Sequence, residues 1–278
     1  MVNLGIVILT KGNLDYLFRC VHSIITHTKK VDYTIYIVDT GSTPDERDAT
    51  CEFIKDRFKH TKNCKFYNLD YYNFARCNNF IIDGAVKEDY LLLCNNDIEL
   101  LDDSIDVLME RMHDDDKIGT VGCRLEYPDS GNIQHAGQFC KVGGGRYIQS
   151  NQVQAHLLIG HRGQHTRNKY SDWEPIMGNT AGYMLVRRDI FYNAGGLNES
   201  YVECFEDVEF NWSVLRGGYH NMYCDTVKCI HFESLSRGVN WPAIHRDWAQ
   251  QLIPYFNSLS LDMKRKVVSL TKDLELQT

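Results

Sequence analysis

The sequence has no CxxC pair, no excess of basic residues and no apolar run approaching the roughly 18–20 residues that cross a bilayer. Its ten cysteines are scattered through apolar periodic segments. That spacing argues against a thiolate zinc site and reads as buried free thiols in a reducing compartment. With 30 Lys and Arg against 37 Asp and Glu, the net charge of −7 gives no global pull toward nucleic acid or anionic membranes. The first residues pass straight into an apolar strand without a signal-peptide pattern. A soluble, cytoplasmic protein is the expectation. Neither GxGxxG nor GxxxxGK followed by Ser or Thr occurs, so a dinucleotide fold and a P-loop NTPase lose their main support. No internal repeat or low-complexity linker divides the chain.

What is present is ordinary globular material. The 278 residues are 43 % hydrophobic and 24 % charged, enough for one large α/β domain or two small ones. Leu4 to Leu9 reads as a buried strand, broken by Thr10-Lys11-Gly12-Asn13. A helical stripe through Leu14, Leu17, Val21 and Ile24 follows, with Asn13 as the expected N-cap. Tyr33 to Val38 is a second strand ending in Asp39. Thr43, Pro44 and Glu46 then spell a capping box with proline at the first helical position. Lys65 to Leu69 is a third strand, and Asn73 opens the next helix. Tyr90 to Cys94 is a fourth, ending in Asn95-Asn96-Asp97, with Asp102 or Asp103 expected to cap the helix after it. Four strand-helix units in succession predict a Rossmann-like, mostly parallel sheet with helices on both faces. Asp39 and Asp97 then share the carboxyl edge, where open α/β sheets bind ligands. One carboxylate beside two amides is an oxygen-rich corner suited to Mg²⁺ or Mn²⁺.

Beyond Gly119 the pattern changes. The segment 137–173, with Gly143-Gly144-Gly145, reads as an irregular loop or lid. Its histidines His156, His161 and His165 could bind a metal, but their spacing lacks clear helix signals and a loop is the preferred reading. Ala181 to Val186 is strand-like, and Arg187-Arg188-Asp189 opens a short helix ending at Gly195-Gly196. Glu206, Asp207 and Glu209 begin another helix, where the macrodipole alone favours acids. A last strand, Tyr223 to Ile230, delivers His231. From Trp241 onward the chain is amphipathic and helical, a cover for the core or a surface for homo-oligomerisation.

Several of these pieces, in order, resemble the family 2 glycosyltransferases of GT-A fold, especially the rhamnosyltransferase-like and galactofuranosyltransferase-like branches. The resemblance covers roughly residues 2–238. It rests on Ile37-Val38-Asp39-Thr40-Gly41-Ser42, Asn73-Phe74-Ala75-Arg76-Cys77-Asn78-Asn79, Asn95-Asn96-Asp97 at the DXD position and Ile133-Gln134-His135-Ala136-Gly137. Gly182 to Arg188, Phe205-Glu206-Asp207-Val208-Glu209 and His231-Phe232-Glu233-Ser234 complete it. It implies residues 1–118 as a nucleotide-sugar half, 119–238 as an acceptor and catalytic half and 239–278 as a helical extension. Within it, Asp207 would be the general base, with Glu206 beside it. Asp97 and His231 would hold Mn²⁺ or Mg²⁺. Thr10, Lys11, Asp39, Ser42, Arg76, Asn79, Asn95, Asn96 and His135 would bind the donor nucleotide.

The implied reaction is inverting transfer from a UDP or dTDP sugar to a saccharide or lipid-linked saccharide. A hydroxylated DNA base is a further conceivable acceptor, though the acidic charge disfavours it. The triplet departs from the motif, since an amide replaces its first carboxylate. That keeps a nucleotide-sugar-binding module without activity in view. A sugar-phosphate nucleotidyltransferase is a further alternative, but no Gly-rich basic signature follows the first strand.

Overall fold

A computed structural model describes residues 3–59, 63–142, 157–233 and 240–271. Gly143 to Gly145, His156 and Ser234 lie outside the described residues. The first unit is β1 (Asn3–Thr10), α1 (Leu14–His27), β2 (Asp32–Asp39) and α2 (Pro44–Arg57). Then come β3 (Cys64–Asn68), α3 (Phe74–Gly84), β4 (Tyr90–Asn95), β5 (Ile98–Leu100) and α4 (Ser104–Met112). The second half holds β6 (Ile118–Glu126), β7 (Ile133–His135), β8 (Gln138–Val142), β9 (Leu157–His161), β10 (Glu174–Ile176) and β11 (Tyr183–Arg187). It ends with α5 (Arg188–Asn193), α6 (Glu206–Arg216), β12 (His220–His231), α7 (Trp241–Asp247), α8 (Ile253–Ser258) and α9 (Leu261–Ser269).

The main sheet runs in the order β10-β12-β6-β11-β4-β1-β2-β3. Strands β3, β2, β1 and β4 are parallel, as are β6 and β12, and β11 runs antiparallel between β4 and β6. The chain winds from β1 out to β3 and returns to β4 on the other side of β1. The crevice between the carboxyl ends of β1 and β4 is therefore a topological switch point. Side chains alternate across the sheet. Leu4, Ile6 and Ile8 pack under α1 and α4, while Val7 and Leu9 pack under α3, α5 and α6. Burying both faces requires strands that are apolar throughout, which is what the first and fourth strands are.

The capping box of α2 forms as its residues predict, and Asn73 caps α3 through the Arg76 amide. Two other caps do not form. Asn13 occupies the cap position in the left-handed region (φ 51°) without a capping hydrogen bond, its amide type tolerating that backbone. Asp103 caps α4 by position only, and Asp102 instead accepts from the Lys228 amide at 3.1 Å, tying α4's start to β12.

The segment 137–173 contains more order than its glycines suggest. Strands β8 and β9 form a two-stranded antiparallel sheet. It shares a core with α6 and the C-terminal helices, through Cys140, Leu157, Trp212, Leu252 and Phe256. A π-helical turn, Trp248–Leu252, joins α7 to α8. Pro254 has no amide hydrogen for the helical ladder, so the register widens ahead of it. Asp247, at the end of α7, receives three main-chain amides on Oδ2, those of Val202, Glu203 and Cys204 at 2.9, 2.6 and 3.3 Å. The extension thereby grips the loop that leads into α6. Among the described residues no helix is long and apolar enough to cross a membrane, and all ten cysteines are free.

Candidate functional site

Three strand ends build one side of the crevice. Asp39 ends β2 fully buried; its Oδ1 accepts the Gly41 and Ser42 amides, each at 3.0 Å. Among the described residues its Oδ2 is buried without a hydrogen-bond partner, an acceptor available to a ligand N–H or O–H. Ser42 Oγ accepts the Gly12 amide at 2.8 Å, and Thr40 Oγ donates to the Thr10 carbonyl at 3.0 Å, so the loops after β1 and β2 are laced together. Lys11 extends over Gly41, whose Cβ would lie 3.8 Å from its Cε. Thr10 Oγ in turn accepts the Asn96 side-chain amide at 3.1 Å, which joins this pocket to the triplet.

The triplet meets the last strand. Asp97 Oδ1 lies 3.3 Å from His231 Nε2, and both side chains are nearly buried. Strand β5 sets this up by pairing Ile98 with His231, and the Phe232 amide donates to the Asp97 carbonyl at 3.1 Å. The Asn95 side-chain nitrogen stands 3.4 Å from the same His231 Nε2. One neutral ring nitrogen cannot both accept from Asn95 and donate to Asp97. With the ring hydrogen on Nδ1, the Nε2 lone pair lies beside a carboxylate oxygen, a donor arrangement that a cation takes when Asn95 gives up that lone pair. Among the described residues no third His, Cys, Asp or Glu completes such a site. The two groups fit a hard divalent ion that takes its remaining ligands from water and phosphate, as Mg²⁺ commonly does.

Asp207 comes from the opposite side. It opens α6 behind Phe205, which holds a left-handed φ of 80°. Its Oδ2 accepts the Ala181 amide at 3.1 Å. The next residue, Gly182, has no side chain, and a Cβ there would sit 3.3 Å from Asn95 Nδ2 and 3.6 Å from His231 Cε1. Two consecutive residues thus connect Asp207 to the Asp97–His231 corner. Burial pushes the Asp207 carboxyl above its usual range, while the Ala181 amide, His161 and the Gln138 side chain pull it back. An ionised base of raised proton affinity is suited to taking a hydroxyl proton near neutrality. Glu206, beside it, adds its charge to the burial that raises the Tyr201 hydroxyl and the Cys204 thiol.

The other expected residues fall elsewhere or play other parts. His135 is buried, with Nε2 accepting the Thr180 amide at 3.3 Å, and burial holds its pKa well below the ordinary value. It supports the 180–182 segment from behind. Asn79 uses its whole amide on another loop, donating to the Leu197 carbonyl at 2.8 Å and accepting the Leu197 amide at 3.0 Å. Arg76 lies over the Tyr71 ring at 4.6 Å. His165 stacks on Tyr127, while His161 stands beside His135 and Asp207.

Several residues carry the site without a sequence signal. Thr120, Asn179, Asn211 and Asn221 form a buried network: Thr120 donates to Asn221 at 2.9 Å and Asn179 donates to Thr120 at 3.0 Å. Asn211 donates to the Asn179 carbonyl at 2.8 Å and to the Asp207 carbonyl at 2.7 Å. The network holds the first turn of α6 against the 177–180 segment. Only the presence of four polar residues in otherwise apolar stretches could have marked them.

The model of Glycosyl transferase family 2 matches residues 5–195. The chain is 28 % identical over 243 residues to the uncharacterized protein y4gI of Sinorhizobium fredii, covering 84 % of this chain and 25 % of that protein. It is 27 % identical over 243 residues to the O-antigen biosynthesis protein RfbC of Myxococcus xanthus, covering 84 % and 17 % respectively. A shorter match, 24 % over 159 residues, is to the N-acetylglucosaminyl-diphospho-decaprenol L-rhamnosyltransferase of Mycobacterium tuberculosis, covering 57 % and 51 %. The chain therefore spans about half or less of the length of these relatives. In structure it is similar to GalNAc-T7 with UDP, GalNAc and Mn²⁺, at a TM-score of 0.68 and 13 % identity, covering 98 % of this chain and 54 % of that one. The mannosyltransferase PcManGT of Pyrobaculum calidifontis, with GDP-Man and Mn²⁺, gives 0.65 at 10 % identity, covering 96 % and 68 %. These likenesses show the GT-A fold.

Proposed function

The chain belongs to glycosyl transferase family 2, and from that premise we propose that it transfers a sugar from a UDP or dTDP sugar to an acceptor hydroxyl with inversion. The observation that carries the reading is the Ala181-Gly182 step, which sets Asp207 on one side and Asn95 with His231 on the other. A base and a diphosphate corner joined through residues 181 and 182 would face the same anomeric carbon.

In this reading the Asp39 Oδ2 and the Thr10–Ser42 loops hold the nucleoside. Asp97 and His231 would hold Mn²⁺ or Mg²⁺, whose charge when bound offsets that of the diphosphate. The Asp207 carboxylate takes the proton of the acceptor O–H. The oxygen bonds to the anomeric carbon as that carbon's bond to the diphosphate oxygen breaks, and the electron pair leaves with the diphosphate. Attack from the face opposite the leaving group inverts the centre. Asn95, an amide where a carboxylate is usual, holds the His231 Nε2 lone pair at 3.4 Å until an ion takes it. The similarity to RfbC and to the decaprenol-linked rhamnosyltransferase supports a saccharide or lipid-linked saccharide acceptor.

The test is a panel of UDP and dTDP sugars with Mn²⁺, read first as a rise in melting temperature and then as nucleoside diphosphate release. Stabilisation by one donor class with release that Asp207→Asn removes is expected. Nucleotide binding without release from any donor would instead favour a binding module.

A further inference from the structure

We propose that His161 is a positioning residue for the Asp207 base, acting with its cross-strand partner Gln138. This rests on Asp207 being the base. The β8–β9 sheet pairs Gln138 directly with His161, which places the two side chains on one face of that sheet. Gln138 gives a side-chain hydrogen bond to Asp207, and its Oε1 lies 3.5 Å from the Asn211 amide nitrogen. His161, across from Gln138 in that register, interacts electrostatically with the same carboxylate. Its ring is fixed edge-on against His135, centroids 4.8 Å apart at 82°.

The strand ends are anchored so that this face cannot drift. The Gln138 amide donates to the Gly178 carbonyl at 2.7 Å, and the Arg162 amide donates to the Gly137 carbonyl at 2.8 Å. Arg162 is buried; its side chain donates to the Ala136 carbonyl at 2.6 Å, pairs with Glu174 at 2.7 Å and lies over the Tyr170 ring at 4.1 Å. A strand anchored this firmly at residue 162 holds residue 161 toward the base. Among the described residues His161 Nδ1 is buried without a hydrogen-bond partner. The groups facing the His161 ring are Asp207, Glu233 and His231, with the Gln134 main chain beside it. A polar pair set on a stiff hairpin fixes the carboxylate's rotamer, and a base so held needs no reorganisation when the acceptor arrives.

The test uses the full chain with Mn²⁺ and the UDP or dTDP sugar that is turned over fastest, reading nucleoside diphosphate release to water. His161→Ala is expected to lower kcat by about 10- to 100-fold, with donor KM and calorimetric UDP affinity unchanged. His161→Gln, which keeps a neutral donor, should recover most of the rate. Asp207→Asn/His161→Ala should be no slower than Asp207→Asn alone, since the pair acts as one unit. If His161→Ala is poorly folded, Gln138→Leu replaces it, with the same expected split. A full rate in His161→Ala or Gln138→Leu while Asp207→Asn is inactive would overturn this proposal and leave the base intact. A full rate in Asp207→Asn would overturn the base itself.

Discussion

His231 Nε2 lies 3.3 Å from Asp97 Oδ1, brought there by the antiparallel pairing of β5 with β12. Two protein donors make an incomplete shell, so metal affinity should depend on the nucleotide. Calorimetric titration of Mn²⁺ is expected to show weak binding alone and much tighter binding with UDP present. Asp97→Ala and His231→Ala should each remove the nucleotide-dependent part. Undiminished donor turnover in excess chelator would contradict it.

Asp207→Asn should separate activity from stability. The rate is expected to fall by about 10²- to 10⁴-fold, the usual share of general base catalysis. The raised carboxyl pKa means that the folded protein holds the proton more tightly than the unfolded chain. Its destabilising effect is therefore absent at low pH and develops as pH rises through the unfolded-state value toward the folded one. At neutral pH the inactive variant should melt higher than the wild type, and at strongly acidic pH the two should coincide.

The histidines give the opposite slope. Burial lowers the His135 pKa well below the ordinary imidazole value and lowers that of His161 too. The unfolded chain then binds protons that the folded one refuses. Stability is fully present above the unfolded pKa and is lost as pH falls below it. The melting temperature should drop between about pH 7.5 and pH 5.5, and His135→Gln should flatten that drop.

Asp39→Asn exchanges one atom's role. The amide oxygen can still accept from Gly41 and Ser42, but a donor replaces the buried Oδ2 acceptor. UDP affinity is expected to weaken by about 10- to 100-fold with little change in melting temperature. An equal loss in stability would assign Asp39 to the loop alone.

Asp247→Ala would strand three main-chain amides beside Val202, Glu203 and Cys204. A cost of about 2–4 kcal/mol follows, or about 5–10 °C in melting temperature. Hydrogen exchange should rise first in residues 202–207, ahead of the sheet.

The parallel half was legible because both faces of β1 and β4 are buried, leaving apolar runs whose ends are sharply marked by Thr10, Asp39 and Asn95. The family resemblance rested instead on polar motifs at and beyond such strand ends, among them Asn95-Asn96-Asp97 and Phe205-Glu206-Asp207. Asn79 and Arg76 were legible as part of a motif, but not as partners of Leu197 and Tyr71, because motif spacing carries no direction for a side chain. The β8–β9 sheet escaped notice because its second strand reads Leu-Leu-Ile-Gly-His inside a glycine-rich stretch, with alternation too short to register. Asp247 is the single acid of α7, and its task depends on a loop far away in sequence.

The antiparallel entry of β11 has a kinetic consequence. Residues 180–182 reach the carboxyl edge only because β11 starts where β4 ends, and His231 arrives with the last strand. The β1–β4 unit closes through near-neighbour segments, whereas β6 must wait for β12 to pair in parallel across a long intervening chain. The Asp97–His231 corner is thus complete only when the last strand has paired, and it separates finished molecules from those that have built only the parallel half.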